Sequence, residues 1–160
     1  MVEFTGVKKL MKLKRFSGVI IIALFLCASW IHSGESGSYV GKEKCAMCHP
    51  AIHETWQSTR HAKAIESLKK SGQEVVPDCA RCHVTGNGKD SGFIDYELTP
   101  EMAGVQCEVC HGPGGKHITD MTKKTINREP GETLCRECHT KGQDPGFDYK
   151  EKVKSAHGKK

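Results

Sequence analysis

Eight cysteines of this chain form four pairs with identical spacing, and a histidine directly follows each pair. The four Cys-x-x-Cys-His motifs begin roughly thirty residues apart. Their members are Cys45, Cys48 and His49; Cys79, Cys82 and His83; Cys107, Cys110 and His111; and Cys135, Cys138 and His139. In such a motif both thiols can bond to the vinyl groups of haem while the histidine ligates the iron. The pattern therefore predicts four covalently bound haem c groups.

Two other uses of paired cysteines fit the sequence poorly. A four-thiolate zinc site also uses Cys-x-x-Cys pairs, but it does not require a histidine after every second cysteine. A thioredoxin-like redox pair would lie near a βαβ pattern, which the sequence lacks. Four repeats of the same histidine position favour haem attachment over both.

The first 34 residues have the pattern of an export signal. Five basic residues between Lys8 and Arg15 precede an apolar run over residues 19–31, which ends in small and polar residues. The ninth cysteine, Cys27, lies within this run. We therefore predict a signal peptide over residues 1–34, a tetrahaem domain over residues 35–160, and a periplasmic or otherwise exported protein. An uncleaved N-terminal anchor is the alternative for the same segment.

Charge and apolar content limit the fold and the partners. The formal charge of +5 falls to about +1 once residues 1–34 are set aside, because five basic side chains and one acidic side chain lie there. No dense basic face for nucleic acid is expected. Apolar side chains are sparse between the motifs, and so short a chain buries little surface alone. We predict a mainly α fold in which short helices and loops wrap around four haems, with little independent hydrophobic core.

Proline and glycine positions predict three helices and one loop. The first helix is expected over residues 50–70, with Gly72 as its C-terminal cap. The second is expected over residues 99–111 and the third over 132–140, each with a motif on its last turn. Residues 85–93 contain three glycines and are predicted to form a loop.

The remaining histidines determine what occupies the sixth position of each iron. A second strong ligand there favours electron transfer, whereas an open position permits substrate binding. Outside the motifs the mature chain has His53, His61, His117 and His157, one for each iron. We predict bis-histidine coordination in which each of them ligates an iron other than its neighbour in sequence. A surface histidine without this role is the alternative, above all for His157 in a lysine-rich tail.

Two other side-chain types near the motifs need an interpretation. Methionine can also ligate haem iron, and Met47, Met102 and Met121 are available. Because histidines suffice in number, we predict core packing for these methionines. Trp56 is predicted to pack against a haem.

Four stretches around the motifs have a more specific pattern. They are Tyr39-Val40-Gly41, Trp56-x-x-Ser58-x-x-His61-Ala62, Cys82-His83-Val84-Thr85-Gly86, and Gly104-Val105-Gln106-Cys107-Glu108-Val109-Cys110-His111-Gly112-Pro113-Gly114 followed by His117. Together they resemble the tetrahaem cytochrome c-554 family. The resemblance implies a helical, periplasmic electron carrier with haems in close, partly stacked pairs. It also implies that His61 and His117 are distal ligands, and that one haem is five-coordinate in some members.

We therefore predict an electron carrier that passes electrons between a redox protein donor and an acceptor. A membrane-associated quinol-oxidising enzyme or a terminal reductase is expected among these partners. The alternative is a small redox enzyme with one open-coordinate haem that acts on nitrogen oxides. No motif has lysine in place of its histidine, and no catalytic acid, base and pocket can be identified from the sequence, so electron transfer is favoured.

Overall fold

The computed structural model describes residues 37–73 and 76–158, where the chain folds into short helices joined by turns. The α-helices are α1 (Lys42–Ala46), α2 (Pro50–Gln57), α3 (Ala64–Ser71), α4 (Pro77–Ala80), α5 (Cys107–His111), α6 (Gly115–Asp120), α7 (Glu132–Arg136) and α8 (Tyr149–Lys152), and two 3-10 helices span Pro100–Met102 and Val153–Ser155. The only extended pairing in these ranges is an isolated antiparallel bridge between Val84 and Ala103. The predicted mainly helical fold is confirmed.

The predicted export signal, residues 1–34, lies outside the described residues. Within residues 37–73 and 76–158, every helix is too short or too polar to span a lipid bilayer.

The prediction of a single long helix over residues 50–70 is wrong, because residues 58–63 separate α2 from α3. The hydroxyls of Ser58 and Thr59 each donate to the carbonyl three positions earlier, at 2.7 Å. Such bonds offer the backbone an alternative to helix. In addition, the Val105 N–H donates to the His61 carbonyl at 2.9 Å. A contact between distant segments thus replaces the helical hydrogen bonds at residues 58–63. Gly72 caps the C-terminus of α3 as predicted, with a φ of 66°.

The second predicted helix, residues 99–111, is also interrupted. A 3-10 turn ends at Met102 and α5 begins only at Cys107, with Gly104 between them at a φ of 88°. A Cβ at position 104 would lie 2.7 Å from the Ala62 carbonyl oxygen. Glycine therefore supplies both the positive φ and the close approach to residues 61–62. The third predicted helix ends at Arg136 instead of residue 140, because the rest of its motif continues as a turn.

Residues 85–93 form the predicted loop. Its ends are joined by a hydrogen bond from the Phe93 N–H to the Thr85 carbonyl at 2.9 Å. Inside this closure the backbones of Gly86 and Gly92 touch, and a side chain on Gly92 would overlap the Gly86 carbonyl. The loop is therefore a compact element that leads from the second motif to the third.

The hydrophobic core is small and lies beside the second motif. It consists of Ile65, Leu68, Ala80, Val84, Phe93 and Met102, with Cys79 packed against it. Burying a large apolar side chain contributes about 1.5–3 kcal/mol, whereas ordering each residue costs about 1–2 kcal/mol of backbone entropy. So few core residues cannot offset the ordering of the described chain. The prediction of little independent core is confirmed.

The predicted core packing of the three methionines is right only for Met102, which is buried. It is wrong for Met47 and Met121, whose exposed fractions are 75% and 79%. Met47 follows α1 and Met121 follows α6, and no second layer of the described residues covers either helix end.

Candidate metal centre

One turn of backbone brings the three reactive side chains of the first, third and fourth motifs to the same side. The His49 N–H donates to the Cys45 carbonyl at 2.9 Å, and the His139 N–H donates to the Cys135 carbonyl at the same distance. In the third motif, α5 itself spans Cys107–His111. Residues at i, i+3 and i+4 of a helical turn share a face. The local fold therefore presents two thiols and one imidazole to a single ligand.

Thiols from different motifs meet at two places, and none of the eight described cysteines forms a disulfide. A hydrogen bond between the Cys45 and Cys107 thiols raises the pKa of Cys45 and lowers the pKa of Cys107 to about 7. Burial, with a hydrogen bond to the Cys82 thiol, raises the pKa of Cys138 to about 12. The first motif therefore adjoins the third, and the second adjoins the fourth.

A further approach links these two couples of motifs. Burial, and then the neighbouring Cys135 and Cys107 thiols, together raise the pKa of the Cys110 thiol to about 11. Because Cys110 belongs to the third motif and Cys135 to the fourth, the thiol contacts connect the motifs in the order first, third, fourth, second. This order differs from their order in the sequence.

Three of the four motif histidines are fixed through their Nδ1 atoms. Each Nδ1 faces an oxygen that can only accept a hydrogen bond, so Nδ1 carries the proton and Nε2 keeps its free electron pair. This is the usual arrangement of a histidine that ligates a metal. The contacts are His83 Nδ1 to the Ala64 carbonyl at 2.7 Å, His111 Nδ1 to the Asn127 carbonyl at 2.5 Å, and His139 Nδ1 to Asp144 Oδ2 at 2.8 Å.

Two histidines outside the motifs face motif histidines across about 6 Å. The ring centroids of His61 and His139 are 6.0 Å apart, and those of His157 and His111 are 5.8 Å apart. Metal–nitrogen bonds of about 2 Å place two imidazoles that share a metal ion about 6 Å apart. Burial, and then the facing motif histidine, lower the pKa of both His61 and His157. Both therefore favour the neutral form that ligates metals.

The other two predicted distal histidines face no motif histidine in this way. His53 lies one turn after His49 on α2, with its ring 5.7 Å from that of Trp56, and its Nε2 is buried without a hydrogen-bond partner among the described residues. The Nδ1 of His117 lies 2.9 Å from the Thr122 carbonyl, which leaves its Nε2 free. Trp56 is buried, and its indole N–H donates to the Val105 carbonyl at 3.2 Å.

A cavity of about 410 Å³ lies where the second and fourth motifs adjoin. Its walls include Cys79, Cys82 and His83 on one side and Cys138 and Thr140 on the other. His83 is the only histidine among its lining residues. The second motif thus differs from the third and fourth, because no described histidine faces its imidazole across this space.

A buried carboxylate inside the third motif holds the segment that leads to the first. Glu108, with an exposed fraction of 2%, accepts hydrogen bonds from the N–H groups of Val40, Gly41 and Gly114 at 2.7–3.1 Å. Gln106 adds a further contact to the same segment, since its Oε1 accepts a hydrogen bond from the Lys42 N–H at 2.7 Å. Side chains of the third motif region therefore fix residues 40–42, where α1 begins and just before Cys45.

Sequence reasoning missed this role of Glu108 and Gln106, although both belong to the Gly-Val-Gln-Cys-Glu stretch. The available signal was an acidic residue between two motif cysteines, just before a Gly-Pro-Gly turn. The N–H groups of such a turn are free to donate to it.

The arrangement fits haem c. Unpaired thiols lie in pairs beside imidazoles whose Nε2 atoms are free, and the partnerless Nε2 of His53 adds a buried nitrogen suited to ligation or to a polar group of a cofactor. In the described ranges, by contrast, no three His, Cys, Asp or Glu side chains converge on a point that could hold a lone metal ion.

Comparisons of sequence and of structure both find similarity to cytochrome c-554 proteins. The family model described as "Cytochrome c554 and c-prime" matches residues 44–112. The chain is similar to cytochrome c-554 of Nitrosomonas europaea, with 32% identity over 164 residues that cover 92% of this chain and 69% of the relative. The solved structure of reduced cytochrome c554 from the same organism superposes with a TM-score of 0.58 and 27% identity, and covers 77% of this chain and 85% of that one.

A shorter similarity extends to a larger protein. The multiheme cytochrome MtrA of Shewanella baltica is 41% identical over 56 residues, which are 30% of this chain and 16% of that protein.

Proposed function

The chain belongs to the cytochrome c-554 family of multihaem c-type cytochromes, and from that premise we propose that its four motifs hold four haems as one path for electrons between two redox proteins. Four covalently bound haems and electron transfer are properties of the family. The observation that carries the proposal for this chain is the geometry that joins the motifs. Glu108 of the third motif holds residues 40–41 before the first, and one cavity is lined by the second and fourth motifs. With the neighbouring Cys110 and Cys135 thiols of the third and fourth motifs, these contacts give the order first, third, fourth, second. Electrons would enter at one end of this order and leave at the other.

We assign distal ligands to two of the irons from the facing imidazoles. His61 is the proposed second ligand of the fourth-motif iron, and His157 that of the third-motif iron. The support is the centroid separation of about 6 Å in each pair, together with the Nδ1 contacts that leave Nε2 of His139 and His111 available. Both assignments use histidines far from the motif they serve, as the sequence predicts.

For the first-motif iron we propose His117. Its helix, α6, is tied to the segment that leads into α1, because the Gly115 N–H donates to the Ser38 carbonyl at 2.9 Å and Glu108 bridges Gly114 to Val40 and Gly41. These contacts place α6 beside the approach to Cys45. His53 lies one turn after His49, on the same side as the motif's own histidine, and is therefore expected to serve an iron of another motif.

The residues around each imidazole would set the properties of its iron. Haem supplies a reversible one-electron change at iron. The hydrogen-bond acceptors at Nδ1 fix the tautomer and the orientation of each ring. Asp144 does this with a carboxylate, which makes His139 a more basic ligand than the backbone carbonyls make His83 and His111. The surroundings therefore differ from motif to motif although the attachment sequence is the same.

The proposal is tested by counting haem and measuring its spin state. Alkaline pyridine treatment of the purified holoprotein is expected to report about four c-type haems per chain. Low-temperature electron paramagnetic resonance is expected to show mostly low-spin ferric iron, as paired imidazoles require. Two haems or fewer per chain would refute the proposal.

One observation favours a second candidate function, a reaction at an open iron of the second motif. The cavity beside His83 contains no other histidine, so the iron held there would lack a distal imidazole and could bind a small ligand such as a nitrogen oxide. Carbon monoxide titration of the reduced protein is expected to give one binding equivalent per chain. A protein that binds none has four closed irons and acts as a carrier only.

We further propose that residues 1–34 are an export signal and that the tetrahaem domain, residues 35–160, works in the periplasm. The basic and apolar pattern of the segment supports this. Mass spectrometry of the mature holoprotein tests it, with an N-terminus near residue 35 as the expected result. An intact N-terminus in the membrane fraction would indicate the anchor instead.

A further inference from the structure

Glu108 is a buried charge within the couple formed by the first and third motifs. It lies between Cys107 and Cys110 in the sequence, and its carboxylate accepts four hydrogen bonds from three backbone N–H groups at 2.7–3.1 Å. All of these partners are donors. A carboxylate in contact with donors alone forms charge-assisted hydrogen bonds, which hold it in one position.

The charge of Glu108 acts on both motifs of the couple. The pKa of the Cys45 thiol is raised first by its hydrogen bond to Cys107 and by burial, and Glu108 raises it further. Glu108 also opposes ionisation of the Cys107 thiol. These thiols would attach two different haems, so the carboxylate would lie beside the attachment atoms of both. A fixed negative charge in a poorly solvated site stabilises the more positive oxidation state of a nearby iron.

We propose that Glu108 is a positioning residue that also holds the reduction potentials of the first- and third-motif haems below those of the other two. This inference rests on the proposed function. The hydrogen bonds of Glu108 join residues 40–41 to the turn at Gly114. Its negative charge favours ferric iron in the first and third motifs. Electrons that travel along the order first, third, fourth, second would therefore move from lower to higher potential.

Gln106 provides an internal comparison for the two roles of Glu108. It is equally buried, with an exposed fraction of 2%, and it fixes the same segment through the Lys42 N–H at 2.7 Å. Its amide also donates to the Glu101 and Ala103 carbonyls at 2.6 and 3.0 Å. Gln106 is neutral, so its removal loosens the segment without changing the charge beside the haems.

The experiment is a spectroelectrochemical titration of the holoprotein and of Glu108→Gln, Glu108→Asp and Gln106→Leu, each shown to contain four haems. Glu108→Gln is expected to shift two of the four one-electron transitions to more positive potential and to leave the other two unchanged. Glu108→Asp keeps the charge and is expected to retain the low pair. Gln106→Leu is expected to lower the denaturation midpoint without a common positive shift of two transitions.

Three outcomes would overturn the inference. Unchanged potentials in a four-haem Glu108→Gln protein would show that the charge does not act on iron. The same two-haem shift in Gln106→Leu would assign the effect to loosened structure. If the Glu108→Gln protein does not acquire four haems, Glu108→Asp provides the test. A positive shift of its two lowest potentials would overturn the inference, because this variant keeps the charge. Four haems in the parent protein with any of these results would leave the proposed electron-transfer function intact.

Discussion

The second and fourth motifs have the same attachment pattern and adjoin one another, yet their histidines lie in different surroundings. His139 of the fourth motif is faced by His61 at 6.0 Å, is held by a carboxylate, and stacks on Phe147 at a centroid distance of 4.4 Å. His83 of the second motif is held by the Ala64 carbonyl and lines a cavity without another histidine.

The difference separates what a motif determines from what the fold determines. Five consecutive residues are enough to attach a haem and to supply its first axial ligand. The second ligand and the hydrogen bond behind the first come from elsewhere in the chain. If the proposed ligand assignments hold, two identical motifs would support a closed iron and an open iron in the same small protein.

Removal of His61 should leave both the second-motif and the fourth-motif iron without a distal imidazole. This is the largest expected effect. In His61→Ala, the fourth-motif iron is expected to lose its distal imidazole and become high-spin. Carbon monoxide titration of the reduced protein should then give two binding equivalents per chain in place of one. Lys154→Ala, on an exposed face, is the matched control and should leave both values unchanged. An unaltered electron paramagnetic resonance spectrum of His61→Ala would reject the ligand assignment.

The aromatic side chains beside the two motifs should contribute unequally to stability. Phe93 belongs to the core next to the second motif, and Phe93→Ala is expected to lower the free energy of unfolding by about 3–5 kcal/mol, as for other buried aromatics. Phe147 is also buried but lies outside this cluster, in contact with His139 and the Arg136 guanidinium, so Phe147→Ala should cost less. Denaturant unfolding of the holoproteins, followed by circular dichroism, measures both. Equal losses would show that the haems, not this core, stabilise the second-motif side.

The carboxylate behind His139 should influence only the fourth-motif iron. A hydrogen bond to a charged acceptor exceeds one to a neutral acceptor by about 1 kcal/mol, which corresponds to about 40 mV for a one-electron couple. Asp144→Asn is therefore expected to raise one of the four potentials by about 40 mV, as measured by spectroelectrochemical titration. A shift spread over several haems would instead indicate a general structural change.

The smallest effect is expected behind His83. Ser67 Oγ lies 3.2 Å from His83 Nδ1, but the Ala64 carbonyl is closer, at 2.7 Å. Because that carbonyl remains in Ser67→Ala, the second-motif potential should change by less than half of the Asp144→Asn shift in the same titration. A larger change would make the serine hydroxyl the main partner of the ring.

The sequence predicted the parts of the site that depend on short-range geometry. A helical turn aligns i, i+3 and i+4, so the attachment residues could be identified without a structure. Helix lengths could not, because the Val105 N–H binds the His61 carbonyl and removes it from a continuous helix. The facing of His61 with His139 likewise depends on contacts across more than seventy residues. Spacing alone counts the distal histidines, but it does not assign them to irons.

The row of acceptors at Glu108 and Gln106 also affects how such a protein can be made. The N–H groups of residues 40–42 find their acceptors 64 to 68 positions later in the chain, so the region around Cys45 cannot reach its final contacts before residues 106–108 are available. Distant contacts of this kind form late. The delay would leave the earliest thiols accessible to the haem-attachment machinery until most of the polypeptide has emerged.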